Sequence, residues 1–105
     1  GADPNEGDSE NMTPLGWAVI ANRAKTMHVS IARGARVNHV DNFGMTPLLY
    51  AASIDFGDTE VLEKLLAAGA DVKLKNKQGQ TAFDLAKGYN YTKAASLLNN
   101  KIASR

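Results

Sequence analysis

The chain has no cysteine, which excludes a disulfide framework and any thiolate metal site. Its two histidines, His28 and His39, are too few for a histidine-rich metal centre or a proton relay. Nowhere in the sequence does an apolar run approach the roughly 18 residues that mark a membrane-spanning helix. The opening GADPNEGDSE is acidic and polar, unlike a signal peptide. Large core-building side chains are scarce: three Phe, three Tyr and one Trp in 105 residues. That scarcity favours a thin, distributed core over a central one. The net charge of +1 gives no global attraction to nucleic acid, and the length allows one domain.

Charge is present but polarised. Residues 1–71 hold ten acidic and five basic groups, whereas residues 72–105 hold seven basic groups against Asp84 alone. A solvated terminal face accounts for this; an acidic or phosphate-bearing partner at the C-terminal end is the sharper alternative.

The strongest signal is an internal repeat. Thr13-Pro14-Leu15 recurs 33 residues later as Thr46-Pro47-Leu48, and Thr81-Ala82-Phe83 follows 35 further on. Gly1-Ala2, Gly34-Ala35 and Gly69-Ala70 show the same spacings of 33 and 35. Two independent markers therefore share one period and the same two-residue excess in the middle unit. The segments DNFGMTPLLYAA (41–52), EVLEKLLAAGADV (60–72) and NKQGQTAFDLA (76–86) resemble the ankyrin repeat. The resemblance implies an all-α solenoid of helix-turn-helix units joined by β-hairpin-like loops. Its units would span about 8–40, 41–75 and 76–105 of a single 1–105 domain. Residues 1–7 would form the tail of a preceding repeat, which marks the chain as a piece of a longer array.

The residues support the same layout independently. Thr13 and Thr46 suit N-caps, each followed by Pro at the first helical position. First helices are expected at about 14–21, 47–53 and 82–87, and second helices at 24–32, 59–68 and 92–99. Asn22 and Asn90 can end the first helices, and Gly34 and Gly69 the second, in left-handed turns. Gly44 and Gly79 supply loop-tip turns, with Asn11 in that place in the first unit. The two extra residues of the middle unit belong in 53–59, because an insertion inside a helix would misplace its apolar face. The expected core is Leu15, Ala18, Met27, Ile31, Val37, Leu48, Ala51, Ala52, Leu62, Leu65, Leu66, Val72, Phe83, Ala86, Leu97 and Leu98. Trp17, Tyr50 and Leu85 are equivalent and are expected to form a ladder across the stack. Glu60 and Lys64 have ion-pair spacing. Trp17, Val19 and Ile20 are the candidates for exposure on the N-terminal side.

Departures from the family pattern stand out. The family usually places His after Thr-Pro-Leu, bonded back to the Thr hydroxyl; here the position holds Gly16, Leu49 and Asp84, so that device is expected to be absent. Ser30 stands where leucine is expected. Gly16, which weakens its helix by about 1 kcal/mol relative to Ala, and Ser30 make the first unit the expected least stable one. The Lys- and Asn-rich third unit suits a C-terminal cap.

No nucleophile elbow, phosphate loop or calcium loop is present, and no catalytic, cofactor or metal-binding residue is assigned. Asp55 and Asp58 around Gly57 read as loop caps. The acceptor patterns at Asn11-Met12-Thr13 and Asn90-Tyr91-Thr92 read as capping turns. The function implied by the resemblance is protein binding through loop tips and the concave helix face, without catalysis, cofactor, small-molecule substrate, nucleic acid or membrane. The candidate contact residues are Asn42, Phe43, Met45, Ile54, Lys77, Gln78 and Tyr89. Phe43 and Met45 flank Gly44 and are expected to point away from the stack. The alternative is a regulatory or targeting segment of a larger enzyme or secreted effector.

Overall fold

In the computed structural model, residues 4–54 and 56–103 are described. Six helices occur among them: α1 (Pro14–Ile20), α2 (Ala24–Ala32), α3 (Pro47–Ser53), α4 (Glu60–Ala67), α5 (Ala82–Gly88) and α6 (Thr92–Ala103). No strand occurs among the described residues. Each odd helix packs against the even helix that follows it. Helices α1, α3 and α5 also adjoin one another in one layer, and α2, α4 and α6 in a second. The core is a thin sheet of side chains between these layers, with Leu15, Val19, Met27, Leu48, Leu49, Val61, Leu65 and Leu98 fully buried.

Local chemistry explains where the helices start. Thr46 accepts from the Leu49 amide at 3.2 Å, ahead of Pro47. Thr81 and Asp84 form a reciprocal capping box: Asp84 N–H donates to Thr81 Oγ1 at 3.2 Å, and Thr81 N–H to Asp84 Oδ2 at 3.0 Å. Asp84 thus restores, by another route, the helix-start bonding that its replacement of histidine was expected to remove. Thr13 has the extended backbone of a cap, but its hydroxyl makes no capping bond.

The turn between paired helices repeats with one left-handed residue in each unit: Asn22 (φ 56°), Gly57 (φ 82°) and Asn90 (φ 65°). That equivalence locates the insertion. Three residues separate α1 from α2 and α5 from α6, whereas the middle connection runs from 54 to 59. The excess lies between the helices, as expected, and the loop from Gly69 to Gly79 has the same length as that from Gly34 to Gly44. Asp58 caps it by accepting from Glu60 N–H at 3.2 Å. Asp55 lies outside the described residues.

Repeat stacking dictates which positions are buried. Ala18, Ala51 and Ala86 are equivalent and all buried, and their small side chains let neighbouring helices approach. Pro14 and Trp17 face the N-terminal side and are exposed, while their equivalents Pro47 and Leu85 are covered by the preceding unit. Gly16 and Val19 face the next unit and are buried; their third-unit equivalents, Asp84 and Lys87, are exposed and charged. Val19 was expected on the exposed side; it is fully buried because its side of α1 meets α3. All of the expected core residues are buried or half-buried. The expected ladder is replaced by separate struts. Trp17 is half exposed and bonds Asp8, Tyr50 bonds Asp41, and Leu85 is core. The Glu60–Lys64 pair is not made; Glu63 instead accepts from the Thr59 hydroxyl at 2.9 Å.

Candidate functional site

The three loops share one construction, and it fixes what their tips present. Asp8, Asp41 and Asn76 are equivalent. The N–H of each donates to a carbonyl four residues on: Met12 at 3.0 Å, Met45 at 3.1 Å and Gln80 at 2.9 Å. Each Oδ1 accepts two further amides from its own tip: Glu10 and Met12, Phe43 and Met45, or Gln78 and Gln80. A left-handed residue closes the turn, namely Asn11, Gly44 or Gly79. In the first two loops the second carboxylate oxygen holds the inner helix, accepting from Trp17 Nε1–H at 2.9 Å and from the Tyr50 hydroxyl. In the third, Leu85 offers no donor, and Asn76 Nδ2 turns to Gln80 Oε1 at 3.0 Å.

Neighbouring loops are tied together. Asn42 N–H donates to Glu10 O at 2.9 Å, and His39 Nε2–H to Asn11 O at 2.7 Å. Lys77 Nζ donates to Asn42 O at 2.8 Å. Its aliphatic stem lies over Gly44, where an added Cβ would sit 2.6 Å from Lys77 Cγ. Glycine at 44 therefore serves both a positive φ of 78° and this close approach.

The candidate contact residues fall into two groups. Asn42, Phe43, Met45, Lys77 and Gln78 lie at the second and third loop tips, and the Lys77–Asn42 bond joins them. Phe43 is 54% exposed. Met45 is a correction: it is half-buried and packs against the core. It is equivalent to Met12, which is buried, so this side of the loop faces the helices. Ile54 and Tyr89 lie at the opposite ends of α3 and α5. Tyr89 is 55% exposed and its ring stacks on Tyr91 at 5.5 Å. Ile54 lines an open cavity of about 310 Å³ with Phe56, Leu62, Tyr91 and Lys93. The sequence reading missed this cavity. The two-residue excess lengthens the connection between α3 and α4, residues of which line the cavity, but nothing in the repeat pattern encodes the path of that connection. Among the described residues no three His, Cys, Asp or Glu side chains group to hold a metal, and no helix is long and apolar enough to cross a membrane.

Among the loop groups Asp8 titrates away from its ordinary value. The Met12 amide, and then the Trp17 indole, hold the Asp8 carboxyl below its usual 3.8. A carboxyl lowered by folding stabilises the fold above its unfolded pKa, and this contribution is lost as pH falls through the folded value. Trp17 is the only tryptophan, so its emission reports this bond. The emission should shift as pH drops below 3.8, and Asp8→Asn should remove that step. An identical step in both proteins would mean that the bond does not form in solution.

Comparison with known proteins gives consistent matches. The family described as Ankyrin repeats (many copies) matches residues 31–86. The chain is similar to Palmitoyltransferase AKR1 of Candida albicans, 38% identical over 82% of this chain and 10% of that protein. It is similar to Palmitoyltransferase Hip14 of Drosophila melanogaster, 38% identical over 75% of this chain and 12% of that protein. It also resembles Ankyrin repeat domain-containing protein 37 of Mus musculus, 33% identical over 87% of this chain and 56% of that protein. The chain thus spans about a tenth of the two palmitoyltransferases and about half of the third relative.

Proposed function

This chain belongs to the ankyrin repeat family, and we propose that it holds a protein partner across its loop tips and the ends of its inner helices, without catalysis. The observation that carries this reading is Phe43: a large apolar side chain, 54% exposed, on a tip whose amides are held by Asp41 and whose neighbour Asn42 is braced on both sides. A rigid, exposed aromatic loses little conformational freedom on binding and is a favoured anchor. Asn42, Lys77 and Gln78 would supply polar contacts around it, with Met45 at the edge. Tyr89, oriented by its stack on Tyr91, and Ile54 would form a second patch.

A photo-crosslinking residue at Phe43 would identify the partner. Phe43→Ser and Tyr89→Ser should each weaken its binding by more than about 1 kcal/mol. Phe43→Ser should change stability by less than about 0.5 kcal/mol, the usual range for surface substitutions, and Tyr89→Ser, which also loses the stack on Tyr91, by about 1 kcal/mol. Full-strength binding by both variants, measured calorimetrically, would place the interface elsewhere.

A second reading is favoured by the names of two relatives, both palmitoyltransferases: the repeats would be a regulatory or targeting segment of a larger enzyme. Sequencing the full-length transcript decides it. A catalytic domain in the same reading frame supports this reading, and a frame without one ends it.

A further inference from the structure

The third loop carries a feature the other two lack. Lys73, Lys75 and Lys77 are exposed, whereas Val72, Leu74 and Asn76 between them are half-buried. Lys73 lies in the turn at 72–73, Lys77 in the turn at the loop tip, and Lys75 on the stretch between them, so one loop carries three neighbouring ammonium groups. The repeats supply an internal control. At the equivalent positions the first loop has Asn5, Gly7 and Ser9, and the second has Asn38, Val40 and Asn42. The same backbone therefore forms without any of these lysines, and the fold does not require the charge.

Nor is the charge neutralised within the chain. None of the three lysines has a carboxylate partner among the described residues. The nearest acid in sequence, Asp71, is turned to its own backbone, where Oδ1 accepts from Lys73 N–H at 2.9 Å. Of the three ammonium groups only that of Lys77 makes a hydrogen bond among the described residues, to the neutral carbonyl of Asn42. That bond restrains its side chain in place beside the Phe43 tip. The stripe contains no arginine, so it lacks the planar fork suited to bidentate phosphate recognition. No exposed aromatic is interleaved with it to stack bases.

We propose that the third loop is a docking strip for an acidic segment of another protein, whose carboxylates meet Lys73, Lys75 and Lys77. The strip rests on the protein-interaction reading and extends it by giving the partner a charge. Phe43 would take an apolar residue flanking the acidic run.

The test uses the whole chain and a fluorescein-labelled peptide that alternates Glu with Ser, followed by fluorescence anisotropy at several salt concentrations. Lys73→Gln with Lys75→Gln should weaken binding by about fivefold, the sum of two exposed ion pairs, and should flatten the salt dependence. Lys64→Gln with Lys101→Gln, on α4 and α6, makes the same change in net charge and should leave affinity within about twofold. Lys77→Gln is measured separately because Lys77 also braces Asn42, and circular dichroism reports whether each variant stays folded. Equal weakening by the two double variants would overturn the strip, because only overall charge would then matter. Equal or tighter binding of an oligothymidylate, or of the peptide to the folded Lys73/Lys75 variant, would overturn it too. None of those results touches the Phe43 and Tyr89 test, so the strip and the interaction module can fail separately.

Discussion

Leu65→Ala should destabilise the chain by about 3 kcal/mol, within the range for emptying a large buried aliphatic site. Leu65 is completely buried in α4, and α4 touches α2, α3 and α6. Its equivalent in the third unit, Leu98, is also fully buried, but in the first unit the position holds Ser30. The first unit therefore leans on the middle one. In a repeat array stability is a sum of unit and interface contributions, so truncating Leu65 weakens two interfaces together with its own unit. Small domains have only about 5–15 kcal/mol in total, and three units lie near the minimum number for folding. Urea unfolding followed by circular dichroism should show an earlier and broader transition, since the end units no longer unfold together. Leu97→Ala, at a half-buried position of α6, should lose about 1 kcal/mol and keep a single sharp transition. A loss below about 1 kcal/mol for Leu65→Ala would show that the stack closes over the gap.

The architecture was legible because the chain states it three times. Two markers at one period located the units, and the two-residue excess could be assigned to the connection between helices, where Gly57 now stands with Asn22 and Asn90 in left-handed turns. The end of α6 was placed too early because 100–103 contains no Gly or Pro to stop it, and the helix runs on to Ala103. Other misses came from reading each unit against the family pattern before comparing the units with one another. Asp84 stands where the family pattern has histidine, but Thr81-x-x-Asp84 is itself a capping arrangement. Val19 was judged by its hydrophobicity without asking which neighbour its side of α1 meets. Met45 was expected outward beside Phe43, yet the left-handed Gly44 between them turns the chain, and Met12 already occupied the equivalent buried site. Asp8 and Asp41 each precede an aromatic by nine residues, a spacing that could have revealed the struts. The fingertip and helix-end groups could be named from register; the cavity beside Ile54 could not, because it depends on the path of the 54–59 connection and no periodicity encodes that path.

Asp41→Ala should cost about 3 kcal/mol, although the residue lies in a loop. Asp41 is 7% exposed. Its carboxylate accepts from Phe43 N–H at 2.9 Å, Met45 N–H at 3.0 Å and the Tyr50 hydroxyl. Removing it leaves two part-buried amides and a half-buried phenol without their acceptor. Such losses exceed the net value of the bonds themselves. Asp41→Asn should be milder, at about 1 kcal/mol, because Asn76 makes the same two backbone bonds in the third loop. Tyr50→Phe should also cost about 1 kcal/mol. In that background Asp41→Asn should lose much of its effect, and a double-mutant cycle measures the coupling. Alkaline pH gives an independent check. Burial first, and then the bond and charge of Asp41, push the Tyr50 phenol well above its ordinary 10.0. The stabilisation tied to this shift is complete below pH 10.0 and is lost as pH rises toward the folded value, because the unfolded phenol ionises first. The wild-type chain should therefore lose stability faster than Tyr50→Phe over that interval; parallel curves would rule out the Asp41–Tyr50 strut. The same carboxylate also links stability to function, since it holds the amide of Phe43. If Phe43 anchors a partner, Asp41→Ala should weaken binding even under conditions where the chain stays folded. Asp41→Asn, which keeps the acceptor at that amide, should bind nearly as the wild type does. Equal binding by wild type, Asp41→Asn and Asp41→Ala would show that the tip needs no fixing, and would remove rigidity from the reasons for choosing Phe43 as the anchor.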